Sequence, residues 1–191
     1  MRKIVFDVET SNLFSEVGSS DPAALNLSVV CIHDSATDSY HSFFQEELKD
    51  LWPYFEGADM IIGFNSDHFD IPLLNKYYSG DLTKIKSLDI LKEVKNSLGR
   101  RIKLDTIAEA TLGRKKIGNG LEALVWWKNG DKEKVKKYCL EDVRITKDIY
   151  DYARKHNILK YTDAGKIKEI KLDTSGWEKK EKSALTHTLP F

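Results

Sequence analysis

The chain has 191 residues, 41% of them hydrophobic and 31% charged, as expected for a globular domain with a substantial core. No apolar run approaches the roughly 20 residues of a membrane-spanning helix, and no signal peptide precedes the first strand pattern, so we expect a cytoplasmic protein. The zero net charge conceals a division, because residues 1–82 carry a net −10 and residues 83–191 a net +10. An acidic site facing a basic surface would produce this division, and so would ordinary solvated helices.

The first half of the chain predicts a sheet with helices between its later strands. Runs of β-branched and aromatic residues predict strands at 2–9, 27–33, 39–44 and 60–65. Helical patterns occur at 47–57 and at 71–78, the second entered through Asp70. Residues 87–91 fit either a fifth strand or the start of a helix.

The second half is predominantly helical. Helices are predicted at 104–113, 120–127 and 131–155, and a late strand at 166–173. A meander of three strands followed by alternating strands and helices implies an α/β fold with a mixed five-stranded sheet flanked by helices. We expect one domain over residues 1–173, a polar and flexible tail over 174–191, and two buried free thiols, Cys31 and Cys139.

The predicted long helix carries an acid on its apolar face. Val135, Tyr138, Asp142, Ile145 and Ile149 recur at intervals of three and four residues, which places them on one inward stripe. A carboxylate in such a position is costly unless it is paired or binds a metal ion. Pairing with Arg101 or Arg144 is the alternative, and Tyr138 lies one turn earlier on the same face.

Two further groups of acids lie at the ends of predicted strands. Asp7 and Glu9 share one face of the first strand near its carboxyl end, where α/β sheets bind ligands, although such a pair also occurs at solvated strand ends. Asp70 lies between the fourth strand and a helix, where it could instead cap the helix, and Asp67 is a competing candidate. Four carboxylates could bind two Mg²⁺ or Mn²⁺ ions and hydrolyse phosphodiesters.

Three ordered motifs resemble the DEDD superfamily of 3′–5′ exonucleases, which has the ribonuclease H-like fold. FDVET at 6–10 resembles the first motif, Asn65-x-x-x-Phe69-Asp70 the second, and Tyr138-x-x-x-Asp142 the third. The tyrosine corresponds to the DEDDy branch. The stretch KLDTIAEATLG at 103–113, followed by Lys115 and Lys116, is similar to the proofreading domains of family-B DNA polymerases and their stand-alone relatives, and the resemblance covers residues 2–155.

The resemblance implies that Asp7, Glu9, Asp70 and Asp142 bind two metal ions and that Tyr138 contacts the attacking water. It also implies that the 3′-terminal nucleotide touches Thr10, Asn12, Asn65 and Phe69, although relatives carry a smaller residue in place of Asn12. The expected activity is 3′–5′ hydrolysis of nucleic acid, with single-stranded DNA the preferred substrate and proofreading or DNA repair the process. An RNA exonuclease and a catalytically silent nucleic-acid-binding module are the alternatives.

A basic segment and the C-terminal segment are further candidates for binding substrate or a partner protein. Arg114, Lys115 and Lys116 could contact substrate phosphates, and solvated helix ends explain them equally well. The terminal residues 188–191 could dock on a polymerase or a sliding clamp, and a merely disordered tail is the alternative.

Overall fold

A computed structural model of the chain describes residues 1–114, 118 and 120–179. The strands of the central sheet are β1 (Lys3–Thr10), β2 (Leu27–Asp34), β3 (Ser39–Phe44), β4 (Met60–Gly63) and β5 (Ser87–Asp89). They lie in the order β3–β2–β1–β4–β5. β2 pairs antiparallel with β1 and β3, whereas β4 pairs parallel with β1 and β5. The predicted mixed five-stranded sheet is therefore confirmed.

Helices follow most of the strands. They are α1 (Phe14–Val17), α2 (Leu48–Glu56), α3 (Asp70–Asn75), α4 (Ile90–Leu98), α5 (Leu104–Leu112), α6 (Gly120–Lys128) and α7 (Lys132–His156). Residues 87–91, which fitted either a strand or the start of a helix, contain both, because β5 ends at Asp89 and α4 begins at the next residue. The Asp89 side chain accepts hydrogen bonds from the first turn of α4, which fixes this boundary.

Each face of the sheet carries its own apolar cluster. Side chains alternate along β1, so Val5 packs with α4, α5 and α7 on one face. Ile4 and Phe6 pack with α2 and α3 on the other. Because both faces of the sheet are covered, the central strands are almost continuously apolar. A charged side chain on these strands is therefore exceptional.

A two-stranded sheet follows α7. Asn157 adopts a left-handed conformation with φ of 57° and ends the helix, after which β6 (Ile158–Asp163) pairs antiparallel with β7 (Lys166–Lys171). The predicted late strand is confirmed by β7. Its partner β6 was missed, because we assigned no structure to the residues immediately after the long helix.

The chain stays packed against the domain after residue 173. Trp177 is buried, its ring stacks on Tyr150 with 5.8 Å between centroids, and its indole nitrogen donates a hydrogen bond to Glu93. The Glu178 carboxylate accepts hydrogen bonds from Tyr150 and from Lys3. Residues 180–191, which include the predicted docking segment 188–191, lie outside the described residues.

The cysteines and the helices of the described residues can be compared with the sequence analysis. Cys31 and Cys139 are both buried and free, as expected. Among the helices described, none combines the length with the apolar character that crossing a bilayer would require.

Candidate active site

Two acidic side chains lie on β1 beyond the point where β1 pairs with β4. The parallel pairing ends at Val5, opposite Ile62, whereas β1 continues to Thr10. Because side chains alternate along a strand, Asp7 and Glu9 share the face of Val5. That face is covered by α7, and both acids are half-buried. The carboxyl end of β1 therefore presents two carboxylates to the helix.

α7 brings a third carboxylate to this face. Tyr138 and Asp142 lie on the buried stripe that the spacing predicts, and Asp142 is only 4% exposed. The Cys139 thiol donates a hydrogen bond to the main-chain oxygen of Asp7 at 3.3 Å, so helix and strand are in contact at this level. The Tyr138 ring is also buried, and it meets Trp126 edge to face.

The three carboxylates converge closely enough to share a cation. Asp7, Glu9 and Asp142 each offer one oxygen, and these oxygens all lie within 4.8 Å of one another. Like charges at this separation repel strongly at a partly buried site, and a divalent cation would remove the repulsion. Carboxylate oxygens are the ligands that Mg²⁺ and Mn²⁺ prefer, so the donor set fits such an ion.

Asp70 lies beside this group and not within it. It is the first residue of α3, is 5% exposed, and its carboxyl group lies near the N–H group of Val8, which β4 does not reach. Burial raises the pKa of Asp70 to about 8, with further contributions from the negative charges of Asp89 and Asp142. The N–H groups of Asp70 and Val8 oppose this rise. The site therefore holds a fourth carboxyl group that resists ionisation without a cation.

A buried acid that the sequence analysis did not single out holds the turn before Asp70. The Asp89 carboxylate accepts hydrogen bonds from the N–H groups of Asn65 at 2.8 Å, Asp67 at 3.2 Å and Leu91 at 3.0 Å. Asn65 has a positive φ of 70°, a conformation that these bonds help to hold. Burial raises the pKa of Asp89. Its sequence signal is an acid directly before a helix, at the N-cap position.

The competing candidate, Asp67, is engaged elsewhere. Its carboxylate accepts hydrogen bonds from Ser87 at 2.7 Å and from Lys92 at 2.9 Å, which fixes it between β5 and α4. The two arginines considered as partners of Asp142 also have other contacts. Arg101 donates a hydrogen bond to the Asn65 side chain, and Arg144 forms an ion pair with Glu141 at 3.6 Å.

A cavity of about 210 Å³ opens next to the carboxylates. Its wall includes Glu9 and three of the residues expected to touch a terminal nucleotide, Thr10, Asn12 and Phe69. Phe69 packs edge to face against Phe14, with 6.2 Å between ring centroids. The remaining wall comes from apolar side chains and main chain, contributed by Val8, Leu13, Phe14, Leu25, Gly120, Leu121 and Leu124.

The other predicted substrate contacts lie apart from this cavity. Asn65 does not line it, since its main chain and side chain bond Asp89 and Arg101. Arg114 forms an ion pair with Asp148, six residues beyond Asp142 along α7. Lys115 and Lys116 lie outside the described residues.

Comparison with known proteins agrees with the fold. The family model of the RNase H superfamily matches residues 4–154. Among solved structures, the family B DNA polymerase of the hyperthermophilic archaeon Pyrobaculum calidifontis is similar, with a TM-score of 0.63 and 19% sequence identity. The match covers 81% of this chain and 24% of the polymerase, so the chain spans about a quarter of that protein's length. No curated protein matches the sequence.

Proposed function

The chain belongs to the RNase H superfamily, and we propose that it is a metal-dependent 3′–5′ exonuclease of the DEDDy type that acts on DNA. The observation that carries the proposal is the convergence of Asp7, Glu9 and Asp142 within 4.8 Å, beside the buried Asp70. These acids come from β1, α3 and α7, and a cluster of this charge at a strand end is costly without a cation.

The four carboxylates, Asp7 among them, would hold two Mg²⁺ or Mn²⁺ ions. Bound ions of this kind activate a water molecule and stabilise the leaving oxygen of a phosphodiester. The hydroxyl group of Tyr138 would orient the attacking water by a hydrogen bond, since it lies one helical turn from Asp142. The Asp7 main chain is held against α7 by Cys139, so the acids and Tyr138 keep their relative positions.

The cavity beside Glu9 would hold the 3′-terminal nucleotide. Phe69 offers an aromatic ring for contact with the base, and Thr10 and Asn12 offer polar groups near the sugar. At about 210 Å³ the cavity is small and α6 lines part of it, so it suits the single nucleotide at a chain end. This size supports exonucleolytic cleavage.

DNA is the preferred substrate in this proposal because the motifs and the helical region resemble polymerase proofreading domains. The similarity in fold to a DNA polymerase agrees with that preference. The sugar preference can be measured separately from the chemistry, because a ribose 2′-hydroxyl would have to fit the wall near Thr10 and Asn12.

The proposal is tested with 5′-labelled single strands of DNA and RNA, incubated with Mn²⁺ or with a chelator. We expect a ladder of products shortened one nucleotide at a time from the 3′ end of DNA, and no cleavage of a circular strand. Asp7→Asn should abolish the ladder, whereas Asp50→Asn, which removes an exposed acid on α2, should preserve it. A ladder that survives the chelator or Asp7→Asn would contradict the mechanism.

A further inference from the structure

A row of charged side chains follows α7 next to its catalytic stripe. Lys134, Lys137, Glu141 and Arg144 are separated by three, four and three residues, so they share one face of the helix. The buried stripe that contains Tyr138 runs beside this face, displaced by one residue around the helix. The row is about 15 Å long, since an α-helix rises 1.5 Å per residue. Three of its four members are cations, and all three are exposed.

These side chains line a groove of about 560 Å³ whose wall also includes Tyr138. Trp126 and Leu140 supply apolar surface, and Lys134, Lys137 and Arg144 supply positive charge around it. The Trp126 ring lies 6.1 Å from the Tyr138 ring, centroid to centroid, and is half-buried. An exposed aromatic edge surrounded by cations is the combination that binds single-stranded nucleic acid without reading its sequence.

α6 contributes to both this groove and the terminal-nucleotide cavity. Leu121 and Leu124, three residues apart, face the cavity beside Glu9, whereas Trp126 faces the groove. The two spaces therefore lie on different flanks of α6: Glu9 of the carboxylate group lines the cavity, and Tyr138 lines the groove. A strand whose end enters the cavity has to leave the site, and the groove offers a basic path that passes Tyr138.

We propose that the groove between α6 and α7 binds the single-stranded polynucleotide that leads to the scissile bond. This inference rests on the proposed function and adds the residues that hold the strand. Lys134, Lys137 and Arg144 contact successive phosphates, and Trp126 contacts a base. The long substrate is thereby held by surfaces that do not take part in hydrolysis.

The acids near the groove do not block this assignment. Lys134 forms an ion pair with Asp131 at 2.7 Å, and Arg144 forms one with Glu141 at 3.6 Å. Exposed pairs of this kind contribute little to stability, so a phosphate can replace the carboxylate at small cost. Lys137, on the same face between them, also lines the groove.

The test separates long from minimal substrates. With Mn²⁺ present, kcat/KM is measured for a 15-nucleotide DNA strand and for a dinucleotide, which fills the cavity without reaching along the groove. We expect Lys134→Ala/Lys137→Ala to lower kcat/KM for the long strand about twentyfold at 0.1 M salt. The slope of log(kcat/KM) against the logarithm of salt concentration should become shallower by about 1.4. Hydrolysis of the dinucleotide should stay within about twofold of the unaltered protein.

Two further variants complete the design. Trp126→Leu, which keeps an apolar side chain, should weaken binding of the long strand by about fivefold or more through lost stacking. Lys49→Ala removes an exposed lysine from α2 on the opposite face of the sheet and should leave both substrates unaffected. Equal losses on both substrates, or no loss on the long strand, would overturn the groove assignment.

Failure of this inference is distinguishable from failure of the proposed function. If the protein hydrolyses neither substrate, fluorescence anisotropy of a labelled 15-nucleotide strand still reports the groove. Weaker binding in Lys134→Ala/Lys137→Ala than in Lys49→Ala would then support the groove without nuclease activity. Identical binding by the two variants, or none by the unaltered protein, would reject it.

Discussion

Asp70→Asn should stabilise the metal-free protein while it removes function. The Asp70 carboxyl is buried beside Asp89 and Asp142, and its pKa of about 8 compares with an ordinary value of 3.8. The folded protein therefore binds a proton here that the unfolded chain releases between these two values. The contribution of Asp70 to stability is full below about pH 4, falls as pH rises, and is lost above about pH 8.

The magnitude follows from the difference in pKa. Between about pH 4 and pH 7 the free energy of unfolding falls by about 4 kcal/mol through Asp70 alone. This follows because each pH unit between the two pKa values costs about 1.4 kcal/mol. Asparagine has a similar shape, keeps an acceptor oxygen near the N–H group of Val8, and carries no charge. Asp70→Asn should therefore gain up to about 4 kcal/mol over the unaltered protein at pH 7 and about nothing at pH 4.

The assay is denaturant unfolding of both proteins between pH 4 and pH 9 with a chelator, repeated with Mn²⁺. The difference in free energy of unfolding should grow with pH. Burial also raises the pKa of Asp89, which is present in both proteins. The stability of Asp70→Asn should therefore still fall as pH rises, by less than that of the unaltered protein. Mn²⁺ should stabilise the unaltered protein by about 2.7 kcal/mol at a hundredfold excess over its Kd, and the variant much less.

Two results would refute this reasoning. The first is a difference in unfolding free energy that does not change with pH, because a buried ionisable carboxyl group must make this difference depend on pH. The second is a loss of stability in Asp70→Asn at pH 8, which would mean that the carboxylate is charged and satisfied in the metal-free fold.

Three more predictions concern Tyr138, Asp89 and Trp177. Tyr138→Phe should lower kcat about a hundredfold in single-turnover assays and leave Mn²⁺ affinity by calorimetry unchanged, because it removes a water-orienting hydroxyl and no ligand. Asp89→Ala should destabilise the protein by about 2 kcal/mol in urea and lower kcat, because N–H groups of α4 and of the Asn65 turn lose their acceptor. Trp177→Ala should cost about 3 kcal/mol of unfolding free energy by vacating the space against Tyr150, with activity retained at low temperature.

Local periodicity was sufficient for much of the fold and for three of the acids in the site. Alternation along β1 assigned Asp7 and Glu9 to one face, and the intervals of three and four residues assigned Tyr138 and Asp142 to the buried side of α7. Both patterns depend on backbone geometry within a single element, so the sequence reports them directly. The mixed sheet also followed, because strand order along the chain restricts its topology.

Only the tertiary structure decided how the separate elements meet. β4 stops pairing with β1 at Val5, which leaves the N–H group of Val8 facing Asp70, and the Asp89 carboxylate holds the turn that contains Asp67. Trp177 packs on a helix that ends 21 residues earlier in the chain. Such contacts join residues far apart in sequence and depend on where strands end and loops turn. No periodicity within one element encodes them, because hydrogen-bond partners and burial are set by the path of the whole chain.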